Sequence, residues 1–276
     1  MLFRSRGEGC VRPLLGQSPP GPVPAGFLFA SAPCRDDPPT GTVPAGALTR
    51  RRVLFSSDYI QQLVIDLPAI LFALTLHEVA HGWAADKLGD PTARRMGRLS
   101  LNPLVHLDPM GTLAFAVSMA AGVGFGWAKP VPVDINNLCN PHRGMMWVAL
   151  AGPVTNFLLA IASLIVFHFV ARFELHEGFI GQPAALMIVA SYRVNTALAA
   201  FNLIPILPFD GGRILMGLLP RRWAWRYGQT EAYGFFIVMG LLLIGGLHWI
   251  MGPIYRTLML AEQVLAGNIL RIFGLL

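Results

Sequence analysis

Charged residues are scarce in this chain, which has 276 residues of which 13% are charged, whereas soluble domains average roughly a quarter. The chain is instead 54% hydrophobic, with a mean hydropathy of +0.54. Apolar stretches of about 20 residues, the length that crosses a bilayer, take up most of residues 60–272. This composition argues against an ordinary soluble domain and predicts a multi-pass integral membrane protein.

Cysteine is also rare in the chain, with three residues. Cys10, Cys34 and Cys139 are odd in number, widely spaced and outside any CxxC pattern, which supports neither a disulfide framework nor a cysteine metal site. The net charge of +6 comes mainly from arginines between the apolar segments. These arginines indicate membrane topology, and we expect no nucleic-acid partner.

Residues 1–50 contain nine prolines and many glycines without a helical or strand period. Such a composition cannot bury a core, so we expect a disordered N-terminal extension. The apolar run at residues 27–32 is too short for a convincing signal-peptide core. We therefore place one membrane domain at residues 59–272, with its core at about 60–220.

Four long apolar helices are predicted, at residues 59–85, 145–171, 184–208 and 232–250. A last segment, 253–272, is shorter and more polar, and either crosses the membrane or lies at its surface. Residues 127–133 place β-favouring residues between prolines, which favours an extended or edge-strand segment. The predicted fold class is an all-α polytopic membrane protein with a short re-entrant or β-like segment near 111–133.

A metal-binding pattern lies near the end of the first helix, in residues 74–82, LTLHEVAHG. His77 and His81 stand four residues apart, so a helix places both imidazoles on one face, one turn apart. Glu78 is offset from His77 by about 100°, close enough to accept a proton from water at the metal. The pattern could instead be polar contacts between helices. Two histidines and a carboxylate at hydrocarbon depth are costly, however, unless they serve a metal, a cavity or a proton path.

A catalytic zinc keeps three protein ligands and an open position, so a third ligand must come from elsewhere. Asp210 is the outstanding candidate, in residues 202–212, NLIPILPFDGG. Pro205 and Pro208 break the helix and free backbone carbonyls that need a cavity or water at this depth. Gly211 and Gly212 let the backbone turn closely behind the ligand.

Other histidines and one more aspartate compete for the third position. His106 and Asp108 lie outside a long helix near the expected membrane surface, where we favour a structural or rim role. The remaining histidines are scattered singly and are expected to be ordinary packing or interfacial residues: His142, His168, His176 and His248.

Three motifs in this order resemble the site-2 protease family of intramembrane zinc metalloproteases. They are HExxH in residues 77–81, AGPVTN in residues 151–156, and NLIPILPFDGG in residues 202–212. The resemblance covers about residues 60–220 and implies a core of three transmembrane helices. Family members often bear a PDZ or CBS domain, but residues 87–145 and 213–276 are too short and too apolar for either, so we expect a short form. The resemblance also implies that transmembrane proteins are cut within the bilayer, in regulated intramembrane proteolysis.

The resemblance assigns roles to five residues of this chain. His77, His81 and Asp210 correspond to the ligands of one Zn²⁺ per chain, and Glu78 corresponds to the general base. Asn156 matches a family asparagine near the active site, where it would hold the substrate backbone or the oxyanion.

A shared zinc constrains the topology, because HExxH and Asp210 both lie at the C-terminal ends of their helices. Those helices must run in the same direction, so the helix at 145–171 supplies the return crossing. Residues 111–127 are then re-entrant or interfacial. The zinc-bearing side carries many more cationic residues than the opposite loop, which has only Arg172. We expect the active site to face the cytoplasm, in a bacterial inner membrane, although residues 50–52, all arginine, argue the other way.

Two alternatives remain open. A membrane zinc protease of another family would take a glutamate from a later helix, but no ExxxN or ExxxD pattern follows on one. A metal-binding membrane protein without catalysis, such as a transporter or an inactive adaptor, has no need of a non-ligand carboxylate at Glu78. The sequence therefore favours a zinc metalloendopeptidase.

Overall fold

The structure is a computed structural model that describes residues 57–120 and 126–275. The predicted disorder of residues 1–50 lies outside the described residues, as does part of the predicted re-entrant segment.

The described chain is helical throughout its regular elements. The helices are α1 (Ser57–Lys87), α2 (Thr92–Arg95), α3 (Pro109–Ala120), α4 (Pro141–Arg172), α5 (Gly178–Asn202), α6 (Asp210–Leu218), α7 (Arg221–Gly228), α8 (Glu231–Leu243) and α9 (Leu247–Ile272). Short 3₁₀ turns form at Pro103–Val105 and Ile135–Asn137.

Three helices of the described residues, α1, α4 and α5, are long and apolar enough to cross a membrane. The bent pair α8 and α9 would add a fourth crossing if it forms one span. Within the described residues, helix α3 is apolar but shorter than these spans. Residues 121–125 lie outside the described residues, so the expectation that residues 111–127 do not cross fully stays a prediction. The predicted fold class, an all-α polytopic membrane protein, is confirmed.

The three spanning helices pack against one another, and α6 and α9 pack against α4. Small residues are buried where these helices meet, among them Ala73, Ala149, Ala160, Ala190 and Ala199. Small side chains let helix backbones approach closely, which is how helices associate where lipid offers no hydrophobic driving force. Large apolar side chains instead point outward and suit a lipid environment, for example Val64, Phe72 and Leu158.

Helix α5 ends earlier than predicted, at Asn202 rather than at residue 208. Pro205 and Pro208 lack the amide hydrogen that would continue the helix, so residues 203–209 form an irregular turn. The Tyr227 hydroxyl donates a hydrogen bond to the Pro205 carbonyl at 2.9 Å. Asp210 is consequently the first residue of α6 and does not belong to the end of α5.

The C-terminal helices also differ from the prediction, which placed one helix at 232–250 and a separate segment at 253–272. Helix α8 already ends at Leu243, and its axis is bent by 93° from that of α9. Gly245 adopts a φ of 72° in the break, a conformation that glycine reaches at low cost. Pro253 lies inside α9, as transmembrane helices tolerate.

The predicted extended segment at residues 127–133 lies beside the end of α1. It forms an isolated antiparallel bridge between Leu107 and Ala128, and no longer ladder in the described residues. The buried guanidinium of Arg98 donates to the carbonyl of Val105 and to those of Lys129, at 2.8 Å, and Pro130, at 3.3 Å. Arg98 therefore holds the segment in place through its backbone.

Asp90, in the turn after α1, fixes the chain that follows this segment. Its carboxylate accepts hydrogen bonds from Thr92 N at 3.1 Å, Asn137 Nδ2 at 3.0 Å and Asp134 N at 2.7 Å. Desolvation by burial raises the pKa of Asp90, but these hydrogen bonds outweigh it and hold the pKa below its usual value. The ionised carboxylate thus joins the turn after α1 to residues 134–137.

Candidate metal centre

Three side chains from two regions of the chain converge at one point. His77 Nε2 and His81 Nε2 are 3.0 Å apart, and Asp210 Oδ2 lies 3.2 Å from the first and 3.3 Å from the second. Among the described residues these three form the one group of His, Cys, Asp or Glu side chains placed to hold a metal ion. The structure therefore brings together the three ligands predicted from the sequence.

The spacing of these atoms fits zinc. A tetrahedral zinc with ligand bonds of about 2.0–2.1 Å separates its ligands by about 3.3 Å. The three distances of 3.0–3.3 Å are close to that value. Asp210 Oδ2 is buried and has no hydrogen-bond partner among the described residues, as expected of an oxygen whose partner is a cation.

The Nδ1 atom of each histidine contacts an oxygen of helix α4, on the side of the ring away from Asp210. His81 Nδ1 lies 2.8 Å from the carbonyl oxygen of Val148, and His77 Nδ1 lies 2.5 Å from Asn156 Oδ1. A carbonyl oxygen only accepts, so each Nδ1 carries a hydrogen, and in its neutral form each ring then turns the lone pair of Nε2 toward Asp210. Three acceptors that face one another without a proton are stabilised by a cation.

Gly152 explains the AGPVTN motif physically. A Cβ atom at this position would lie 2.5 Å from His77 Cε1 and 2.5 Å from His81 Nε2. No side chain fits there, so glycine is what allows α4 to pass directly behind both imidazoles.

The glycines that follow Asp210 have a similar effect. A Cβ at Gly211 would lie 2.3 Å from the carbonyl oxygen of Leu203, and one at Gly212 would lie 2.6 Å from Leu207 N. This agrees with the expectation that the two glycines let the backbone turn closely behind the ligand. The start of α6 can therefore fold back on the turn at residues 203–209 and aim Asp210 at the two histidines.

The site also agrees with the predicted directions of the helices. His77 and His81 lie in the last third of α1, whereas Val148 and Gly152, which they contact, lie in the first half of α4. Asp210 follows the end of α5 by a short turn. The C-terminal ends of α1 and α5 thus lie on the same side as the N-terminal end of α4.

Glu78 does not belong to the three-atom group but is fixed beside it. Its Oε2 accepts a hydrogen bond from Val131 N at 3.0 Å. Val131 follows the two residues whose carbonyls Arg98 holds, so Arg98 indirectly positions the amide that contacts Glu78. Sequence reasoning missed Arg98, whose only signal was an arginine in a polar loop.

Asn156 is fully buried, with no exposed surface. Its Oδ1 faces His77 Nδ1, and its Nδ2 donates to the carbonyl of Ala73 at 3.3 Å and to Asn195 Oδ1 at 2.9 Å. Both amide hydrogens thus have acceptors within the protein. The role of holding substrate stays a prediction, while the structure places Asn156 against a predicted metal ligand.

The rival ligands lie elsewhere in contacts of their own. His106 is buried and its Nε2 lies 2.8 Å from the carbonyl of Ser100. Asp108 Oδ1 accepts from Gly111 N at 2.8 Å, at the start of α3. Of the other histidines, His142 Nε2 lies 3.1 Å from the carbonyl of Leu219 and His168 Nε2 lies 2.9 Å from that of Leu275. None of these residues joins the group around Asp210.

Comparison with known proteins gives a family match and several relatives. The model of the family described as Peptidase family M50 matches residues 180–245. The chain is 36% identical to the "Putative zinc metalloprotease YwhC" of Bacillus subtilis over 198 residues, 70% of this chain and 85% of that protein. It is 28% identical to the "Putative zinc metalloprotease Rip2" of Mycolicibacterium smegmatis over 252 residues, 89% of each chain. No solved structure matches the chain significantly.

Proposed function

This chain belongs to peptidase family M50, and on that basis we propose that it is a zinc metalloendopeptidase that hydrolyses peptide bonds of transmembrane proteins within the bilayer. The resemblance to the site-2 protease family is confirmed at the level of the family. The observation that carries the proposal is the convergence of His77 Nε2, His81 Nε2 and Asp210 Oδ2 within a bundle of apolar helices. Zinc is also what the names of the two relatives imply.

His77, His81 and Asp210 would hold the zinc ion. A zinc ion in this position supplies Lewis acidity, which polarises the scissile carbonyl and makes water a stronger nucleophile at neutral pH. Glu78 accepts the proton of the attacking water and donates it to the leaving amine as the peptide bond breaks. The hydrogen bond from Val131 N keeps the Glu78 carboxylate in the orientation this transfer needs.

The substrate helix must unwind locally before its peptide bond can be reached. We assign residues 124–133 as the segment with which the unwound substrate pairs as an added strand; of these, residues 126–133 are described. The described part lies outside any helix, its Val131 N donates to Glu78, and Arg98 holds its backbone. A substrate strand on this segment would lie next to the general base.

Metal removal tests this function. New peptide termini should appear inside apolar spans when the purified, zinc-loaded chain is reconstituted with membrane proteins of its source cells, because the site lies among membrane-spanning helices. Treatment with a chelator should abolish these termini, and stepwise return of zinc should restore them with saturation at one zinc per chain. Mass spectrometry of the peptide termini and zinc analysis of the protein are the measurements.

A soluble protein such as casein, added to the same vesicles, is the control for substrate class and should remain uncut. Cleavage that persists in the metal-free protein would rule out the zinc mechanism. A zinc-loaded protein that cuts casein and leaves membrane spans intact would rule out the proposed substrate class.

We assign the zinc-bearing ends of the helices to the cytoplasmic side of a bacterial inner membrane. Cationic residues are concentrated in the helix ends and loops on that side: Lys87, Arg94, Arg95, Arg98, Lys129, Arg143, Arg213, Arg221, Arg222 and Arg226. At the other end of α4, Arg172 is the last residue of the helix. This distribution supports the orientation by the positive-inside rule.

Cys139 provides a natural probe of this orientation, since it is exposed and its N donates to the carbonyl of Leu88, just after α1. In a chain with Cys10→Ser and Cys34→Ser, a membrane-impermeant maleimide should label Cys139 in inside-out vesicles and leave it unlabelled in intact cells.

The matched control moves the thiol to the opposite loop. Cys139→Ser with Glu177→Cys places it at the residue before α5, beyond the far end of α4, a helix about 48 Å long. We expect that variant to be labelled in cells whose outer membrane has been permeabilised. The reverse pattern for the two positions would place the site outside the cytoplasm.

A further inference from the structure

A line of buried amides joins His77 to helix α5. Asn156 on α4 contacts His77 Nδ1 at 2.5 Å, and Asn195 on α5 contacts Asn156 at 2.9 Å. Neither asparagine has exposed surface. The three helices of the bundle are therefore connected by side-chain hydrogen bonds that end on a proposed metal ligand.

The direction of these hydrogen bonds is set by backbone carbonyls. Asn195 Nδ2 lies 2.8 Å from the carbonyl oxygen of Ser191, which can only accept, so the atom of Asn195 that faces Asn156 is the oxygen. That oxygen requires a donor from Asn156, so Asn156 presents Nδ2 to Asn195. The remaining atom of the Asn156 amide, its oxygen, must face His77.

This direction decides which nitrogen of His77 carries the hydrogen. An amide oxygen opposite Nδ1 requires a hydrogen on Nδ1, and in the neutral, metal-binding ring this leaves the lone pair of Nε2 directed at Asp210. If the amide of Asn156 were reversed, its Nδ2 would face Nδ1, the hydrogen would reside on Nε2, and His77 could not bind a metal. Ala73 O, at 3.3 Å, opposes that reversal only weakly beside the 2.9 Å contact with Asn195.

We infer that Asn195 is a positioning residue for the metal centre, which sets the metal-binding tautomer of His77 through Asn156. This inference rests on the proposed function only in taking His77 as a zinc ligand. Some residues hydrogen-bond to the nitrogen of a metal-bound histidine that does not contact the metal. Removing such a residue lowers the metal affinity by about 10-fold to 100-fold. Asn195 lies one step further out, so its removal should act near the lower end of that range.

A double-mutant cycle on zinc affinity tests the inference. The full chain in detergent is titrated with zinc against a competing chelator, as wild type, Asn156→Leu, Asn195→Leu and the double variant. Asn195→Leu should lower the zinc affinity about 10-fold. Because Asn195 acts only through Asn156, the double variant should bind zinc within about twofold of Asn156→Leu alone.

Thr196→Val is the matched control, since Thr196 is the next residue of α5, is equally buried and also makes buried hydrogen bonds, to Tyr192 O and Glu262. It should leave the zinc affinity within about twofold of wild type. Asn195→Ser serves if the leucine variant does not fold. Its hydroxyl can bond to the i−4 carbonyl but is too short to replace the amide at Asn156, so it should show the same loss.

The outcomes separate this inference from the proposed function. Wild type that binds zinc while both Asn195 variants bind it equally well would overturn the role of Asn195 and leave the zinc site standing. The role of Asn195 would also be overturned if Asn195→Leu lowered the zinc affinity by the same factor in the presence and in the absence of Asn156. Its effect would then bypass Asn156. Wild type without zinc affinity would overturn both.

Discussion

Glu78→Gln should abolish peptide-bond cleavage and leave one zinc bound per chain. Glutamine has nearly the same shape and can still accept the hydrogen bond from Val131 N, but its amide cannot take a proton from water. General bases contribute about 10²-fold to 10⁴-fold to enzymatic rates, so we expect a loss of at least that size. The measurements are the rate of appearance of cleaved termini and the zinc content of the purified variant.

Glu231→Gln is the matched control, because it makes the same substitution at an exposed site where the carboxylate contacts Arg213 at 3.0 Å. It should keep both cleavage and zinc. Retained cleavage in Glu78→Gln would refute the assignment of the base. Loss of zinc from Glu78→Gln would instead make Glu78 a ligand and reopen the choice of the third ligand.

A trapped complex is a useful consequence of this variant. A chain that keeps zinc and its substrate-binding segment but cannot complete hydrolysis should retain its substrates in native membranes.

Glu78 also separates the proposed protease from a metal-binding protein without catalysis. In a transporter, Glu78→Gln would change neither the metal binding nor the activity.

The parts of the site that depend on local spacing could be predicted from the sequence. His77 and His81 are one helical turn apart, so a correct helix is enough to place both rings on one face. Asp210 could be predicted as well, because two prolines before it and two glycines after it mark a broken helix end. The site therefore followed from residue type and short-range geometry.

The parts that depend on packing between helices could not be predicted in this way. Asn195 is a single asparagine in an apolar helix, and only its distance from Asn156, on another helix, reveals its contact. The burial of Asn156 has the same origin. Arg98 likewise reaches the carbonyl of Val105 and those of Lys129 and Pro130, and no spacing rule connects these positions.

The positions of the helix ends could likewise be predicted only in part. Pro205 and Pro208 indicated a break, but the sequence did not tell that α5 ends at Asn202 and that Asp210 begins a new helix. Near the C-terminus two breaks were available, at Gly245 and at Gly252 with Pro253. In the structure the 93° bend lies at the break that contains Gly245, which has a positive φ, and α9 continues through Pro253.

Asp210→Ala should remove zinc from the chain under conditions in which wild type retains one per molecule. Asp210 Oδ2 is a buried oxygen aimed at both histidine Nε2 atoms, and without it only two protein ligands remain of the three that a catalytic zinc needs. We expect the zinc affinity to fall by more than about 100-fold, beyond the range for residues outside the ligand set. Cleavage should be lost with the metal.

Two further variants identify the cause of that loss. Asp210→Asn keeps the volume but removes the charge, so a drop in zinc affinity with unchanged thermal unfolding of the metal-free protein would assign the effect to ligation. Asp108→Ala removes the rival carboxylate, whose Oδ1 caps α3 through Gly111 N, and should leave zinc bound. Zinc lost from Asp108→Ala and kept in Asp210→Ala would exchange the two roles and would require α3 to approach the histidines of α1.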